Sequence, residues 1–260
     1  MNRALSYVGG WLAGYLSTPR HEHSTAAAVP TARLAAILQP ADVLLVEGTT
    51  RFSTAIKYLT QSTWSHAALY IGSYRRDGEA SAEHKFIEAD TVHGVRSVGI
   101  EVFRDLHVRI CRPIGLNQQE REAVIGYAIA RIGHRYDLRN VIDLVRYLLP
   151  TPPVPLRFRR RMLALGSGDP TRAICSTLIA QAFQFIRYPI LPLVDTHSLD
   201  SPECPGCVEE ILHVRHFSLF TPRDFDVSPY FQVIKPPVAP DFDFRTLHWI
   251  EDAHLAADQS

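Results

Sequence analysis

An excess of charge of either sign is missing from this chain: 27 Lys+Arg stand against 27 Asp+Glu over 260 residues. With no basic stripe interleaved with aromatics, that balance sets aside a surface built for nucleic acid. Cysteine is scarce. Four in all, at 111, 175, 204 and 207, are too few for a disulfide framework at this length and fit a reducing compartment. No apolar run approaches the roughly 20 residues a spanning helix needs. No internal repeat is visible, and no Lys-Ser/Thr follows Gly9, Gly10 or Gly14 to make a phosphate loop.

What is present is an ordinary globular balance, 46% hydrophobic and 21% charged, which argues against general disorder. Residues 1–33 read as an N-terminal helix and linker, 34–235 as one domain, and 236–260 as a Pro/Asp-rich tail. The apolar stretch over residues 3–16 is expected to form a short helix that covers the core or lies on a membrane surface. A cleaved signal is the lesser reading, because the stretch holds adjacent glycines and Arg20-His21-Glu22-His23 separates it from Ala26-Ala27-Ala28. The expected location is cytoplasmic, with peripheral membrane contact through 3–16 left open and secretion disfavoured.

Periodicity outlines the rest. Asp42 to Val46 is a continuous apolar run, hence a buried strand, and Phe52 to Leu59 has helical spacing. Strands are expected at Ala67–Ile71, Phe86–Ala89, Val95–Phe103 and Val108–Cys111, with a turn at Asp77-Gly78. Asn117 and Glu120 form a capping-box signal that opens a helix to about Ile132, with Gly133 as its C-cap. A second helical stripe covers 138–149, and Pro152, Pro153 and Pro155 break it. Arg157-Phe158-Arg159-Arg160-Arg161 follows as a basic cluster, read first as a solvated face and second as an anion or headgroup site. Cys175 opens the next helix. From Pro189 to Glu209 the chain reads as loop, then Ile211–Leu219 as a strand, 221–226 as a turn and Tyr230–Ile234 as an edge strand.

Three side chains carry the chemistry. Cys175 stands at a helix start, His66 at the head of a strand and Glu88 inside the apolar Phe86-Ile87-Glu88-Ala89. An acid inside an apolar strand needs a partner. If the hairpin turns at Asp77-Gly78, facing residues have numbers that sum to 154–155. His66 and Glu88 then lie opposite each other, and Glu88 can set the imidazole tautomer. A thiol at a helix N-terminus beside an imidazolium is the setting for a thiolate nucleophile, with helix-start N–H groups available for an oxyanion. Taken alone, each residue has a bland reading, as core cysteine, structural histidine or buried acid; their conjunction points to catalysis.

Asp42-Val43-Leu44-Leu45, Ser65-His66-Ala67-Ala68-Leu69-Tyr70-Ile71-Gly72, Ile87-Glu88-Ala89 with Gly94-Val95, Tyr136-Asp137 and Cys175-Ser176-Thr177-Leu178-Ile179 together resemble the circularly permuted NlpC-type, papain-like cysteine hydrolases. The likeness is greatest to the YiiX/YebB-like group, similar in turn to lecithin:retinol acyltransferases, and covers roughly residues 38–190. It implies an α+β fold, a small antiparallel sheet or barrel packed against helices, with the nucleophile at a helix N-terminus. It also implies Cys175 as nucleophile, His66 as base and Glu88 as the orienting acid. Tyr136 matches a tyrosine that contacts oxyanion or substrate, and Ser65 and Ser176 are grouped with it. Ile174 stands where many relatives have Asp before the cysteine.

The resulting expectation is a cysteine amidase or peptidase working through an acyl-enzyme on a small peptide, cell-wall fragment or conjugated amino acid, with no cofactor and no metal. A lipid acyltransferase or esterase using the same thiol, and a binding module without turnover, are the alternatives. Cys204-Pro205-Gly206-Cys207, with His213 and His216 downstream, reads as a loop with two free thiols rather than a zinc site, because the histidines stand too close together.

Overall fold

The computed structural model describes residues 29–74, 83–90, 93–134, 174–198, 208–236 and 243–246. Its frame is a six-stranded antiparallel sheet built from β1 (Val43–Glu47), β2 (His66–Tyr74), β3 (Glu83–Asp90), β4 (Gly94–Gly99), β5 (His107–Pro113) and β8 (Phe231–Ile234). The strand order is β4-β3-β2-β1-β5-β8. Separate from it, β6 (Leu193–Ser198) and β7 (Val208–His213) pair as a two-stranded hairpin. The helices are α1 (Thr31–Ile37), α2 (Arg51–Thr60), α3 (Gln118–Ile129), α4 (Ile174–Phe185) and α5 (Pro222–Asp226). This is the mixed helix and antiparallel-sheet architecture expected from the sequence.

Strand side chains alternate between faces, so a strand covered on both sides reads as one apolar run. β1 is such a strand. Val43 and Leu45 join Ala67, Leu69, Ile87, Ala89 and Cys111 on one face, which α4 covers through Leu178, Ile179, Ala182 and Phe183. Phe225 of α5 and Val124 and Ala128 of α3 belong to the same cluster. Leu44 and Val46 join Ala68, Tyr70, Phe86 and Ile110 on the other face, capped by Leu34 of α1 and by Ile100 and Phe103. A buried ion pair fastens the base of this arrangement. Arg112 of β5 grips Asp42 through Nε and Nη2 at 2.9 and 2.8 Å, and its Nη2 also donates to the carbonyl of Ile37 at the end of α1.

Several boundaries differ from the sequence reading. The expected linker ends early, because α1 begins at Thr31 to place Leu34 in the core. The expected strand 95–103 stops at Gly99. Ile100–Phe103 is a 3-10 turn, whose three-residue period puts Ile100 and Phe103 on one buried side. Asn117 and Glu120 do form the reciprocal capping box, but the helix ends at Ile129 with Ala130 as its C-cap. Gly133, at φ +89°, instead gives its N–H to Val95 at 2.9 Å. The expected loop 189–209 contains β6. The expected strand 211–219 is β7, ending at His213, followed by a 3-10 turn at Phe217–Leu219. The expected turn at 221–226 is the short helix α5, capped by Thr221 and Asp224. β8 lies at the sheet edge as expected. Residues 3–16, Asp77-Gly78, 138–149, 157–161, Tyr136, Cys204 and Cys207 fall outside the described residues. Among the described residues, no helix is long and apolar enough to cross a membrane.

The β2–β3 register decides what the site can be. Gly72 pairs with Lys85, a sum of 157, whereas Tyr70 pairs with Phe86 and Ala68 with Glu88, a sum of 156. Ile71 is the extra residue of a bulge, beside Gly72 at φ +80°. The sum is even at the site end, so His66 and Glu88 share a face. They are diagonal neighbours, not directly opposite as expected from a sum of 154. Without the bulge the sum would stay odd and Glu88 would point to the other side of the sheet.

Candidate active site

His66 is the first residue of β2, with its side chain 25% exposed, and Glu88 lies well inside β3 at 5%. Diagonal residues on one face of an antiparallel pair are within reach of long side chains. Here Nε2 of His66 meets Oε2 of Glu88 at 2.8 Å. The other carboxylate oxygen is held by Arg96 of β4, directly opposite Glu88, through Nε at 2.9 Å and Nη2 at 2.7 Å. Every polar demand of a buried carboxylate is thereby met, and Glu88 is held below the usual carboxylate range. Burial pushes it up, but the hydrogen bonds and charges of His66 and Arg96 outweigh that.

Cys175 is the second residue of α4 and is 5% exposed. α4 lies over the face opposite to His66, so the two meet only where the sheet opens. Pairing of β2 with β3 is recorded as far as Ala68↔Glu88. The Tyr70 N–H donates to the carbonyl of Asp42, the residue before β1. Amides alternate in direction along a strand, so that of Ala67 points to the β3 side. The Ala67 N–H and the His66 imidazole both stabilise the charged form of the Cys175 sulfur. With Nε2 engaged by Glu88, Nδ1 is the nitrogen left for sulfur.

The electrostatics follow. Burial pushes the Cys175 thiol up, but the charge and hydrogen bond of His66, the Ala67 N–H and the Ser176 hydroxyl bring it down overall. Burial pulls the His66 imidazole down, yet the Cys175 sulfur and Glu88 push it up to about 10. Both shifts favour the thiolate–imidazolium form of the pair. Cys111 is the internal contrast: also buried, its thiol is pushed up to about 12, by burial first and by the Asp226 and Asp42 charges against the opposing charge of Arg109. The same residue type is shifted up in one place and down in the other.

The grouped serines have other engagements. Ser65 Oγ accepts the Gly48 N–H at 2.9 Å and lies 3.5 Å from the Val46 carbonyl, which ties the β1–α2 connection to the strand head. Ser176 is fully buried, with its Oγ 3.9 Å from the sulfur. Arg96 was missed in the sequence. The signal was available: with the chain reversing between Asp90 and Gly94, Glu88 and Arg96 are equidistant from the turn. His213 pairs with Asp195 at 2.9 Å and His216 bonds Ser218, and no group of three metal-ligating side chains occurs among the described residues.

Residues 38–147 match the model of the permuted papain-like amidase enzymes, the YaeF/YiiX, C92 family. The matched span holds His66, Glu88 and Arg96 and ends before Cys175. No curated protein matches. Among solved structures the chain is similar to one titled metalloprotein yiiX from Escherichia coli O157:H7. The two are 13% identical with a TM-score of 0.45, and the alignment covers 76% of this chain and 97% of that one.

Proposed function

We propose that this chain, whose residues 38–147 match the model of the permuted papain-like amidases, is a cysteine-dependent amidase whose nucleophile is Cys175, whose acid-base group is His66 and whose orienting carboxylate is Glu88. One observation carries the reading: a single imidazole, bound to a buried carboxylate at 2.8 Å, lowers the Cys175 thiol by its charge. Residues 34–235 are taken as the hydrolase domain.

The steps balance without an external group. The Cys175 thiolate attacks the amide carbonyl carbon, and the oxygen takes the negative charge. The N–H groups at the start of α4, the end of the helix with partial positive charge, suit that oxyanion, and Tyr136 is assigned to the same role from the family resemblance. Collapse breaks the C–N bond, and the amine leaves with the proton of the His66 imidazolium. The thioester is then attacked by water, whose proton His66 takes. Carboxylic acid departs, and thiolate and imidazolium are restored. Throughout, Glu88 accepts the Nε2 hydrogen, holding the ring in the tautomer and orientation the steps need, while Arg96 keeps Glu88 ionised.

The test is to trap the intermediate. The protein is mixed with a panel of small peptides and N-acyl amino acids, quenched in acid and read by intact and peptide mass. An acyl mass increment on the Cys175 peptide, labile to hydroxylamine and missing in Cys175→Ala, is the expected result. Turnover that persists in Cys175→Ala overturns the assignment.

A further inference from the structure

We propose that Arg109 binds a carboxylate of the substrate, a reading that rests on Cys175 being the catalytic thiol. Arg109 and Ala67 are both register partners of Leu45, one on each side of β1. Two ladder spacings separate them, about 10 Å, which is two to three residues of extended peptide. Arg109, Leu45 and Ala67 share the face that carries α4, and Ala67 is the residue whose amide stabilises the charged form of the sulfur. The guanidinium lies 4.9 Å from the ring of Trp64, two residues before His66.

Comparison with Arg112 shows why Arg109 is more than a brace. Arg112 spends its Nε–Nη2 edge on both oxygens of Asp42 and gives a further bond to Ile37, as an anchoring arginine does. Arg109 contacts Asp226 of α5 through Nη1 alone, at 2.6 and 2.9 Å, and Asp226 already accepts from Trp64 Nε1 at 3.0 Å. The Nε–Nη2 edge of Arg109, the edge that grips carboxylates in pairs, has no partner among the described residues. The side chain is 36% exposed, against 20% for Arg112. The other acid nearby, Glu47, is matched by Lys57 at 3.1 Å and His107 at 3.0 Å. The substrate class is therefore a short peptide or N-acyl amino acid with a free carboxylate within about three residues of the scissile amide.

The probe is a pair of alkylating agents of equal size, N-iodoacetyl-glycylglycine with a free C-terminal carboxylate and its C-terminal amide. The thiolate displaces iodide from either, but only the first carries a carboxylate, two residues from the reacting carbon. The readout is the ratio of their rates at Cys175, located by peptide mass. In Arg109→Gln/Asp226→Asn, which removes one charge of each sign, the ratio is expected to fall about tenfold from that of the unaltered protein. If the double variant does not fold, Arg109→Lys replaces it. One amine cannot hold Asp226 and an incoming carboxylate together, and the ratio there is expected to fall about threefold. An unchanged ratio, with the amide still labelling Cys175 in a His66-dependent way, overturns the role of Arg109 and leaves the catalytic reading standing. Labelling that ignores His66→Ala overturns both.

Discussion

At the residue scale, the site is a chain of dependence running inward from solvent. Arg96 holds Glu88, Glu88 holds His66, and the charge of His66 lowers the Cys175 thiol. Glu88→Gln keeps the shape and removes the charge, so the imidazolium loses its counter-ion while the fold is kept; kcat/KM is expected to fall about 100-fold. Arg96→Met acts one step further out. Glu88 is held low partly by Arg96, and without it the carboxyl protonates at a higher pH. The acidic limb of the pH–rate profile is expected to move upward, with a roughly tenfold loss near neutral pH. A purely structural role for Arg96 would lower the folded fraction and leave the limb in place. The pairing of His66 with Glu88 was legible in the sequence because an acid in Phe86-Ile87-Glu88-Ala89 demands a partner. Arg109 was not, since an arginine in an alternating strand looks like any solvated residue until Trp64 and Asp226, 45 residues before it and 117 after, close around it.

At the element scale, a bulge of one residue decides which face Glu88 occupies. Deleting Ile71 removes the bulge but lets Gly72↔Lys85 and Tyr70↔Phe86 stay paired as adjacent steps, so His66 and Glu88 are expected to remain on one face and Cys175 to keep its His66-dependent alkylation. Gly72→Ala tests the bulge more gently. At φ +80° a side chain is strained, and the added Cβ would stand 3.4 Å from Cγ of Pro40, so a loss of about 1–2 kcal/mol by denaturant titration is expected. The bulge could not be read from the sequence, which suggested a tight turn and a sum near 154; the error of two kept the residues on one face, diagonal rather than opposite. The buried strand β1 was legible because both of its faces are covered. β6 was hidden because the hairpin it makes with β7 buries little, with Leu193 and Leu212 both exposed, and its ladder rests on backbone pairing.

At the scale of the whole molecule, stability and catalysis draw on different ion pairs. Asp42 and Arg112 join β1, β5 and α1 far along the sheet from the thiol. Removing one member of such a buried pair leaves the other uncompensated, so Asp42→Ala is expected to cost about 3–5 kcal/mol in chemical denaturation while the folded fraction keeps its activity. Acid should act on other groups. Glu88 and Glu47 are both held below their ordinary value of 4.5, so the stability they add is present above that value and is lost as pH falls through their folded values. Asp42 is pushed up from 3.8 by burial, so its contribution runs the other way and declines as pH rises past that value. A Glu47→Gln variant is expected to flatten part of the acid loss of stability without touching the thiol. What joins these scales is one sulfur, and the most direct measurement is the pH dependence of iodoacetamide alkylation at Cys175, in the unaltered protein and in His66→Ala. The expected result is a rate that stays high well below pH 8 in the unaltered protein and needs strongly alkaline pH once the imidazole is gone; two superimposed curves, both rising where an ordinary cysteine ionises, would contradict it.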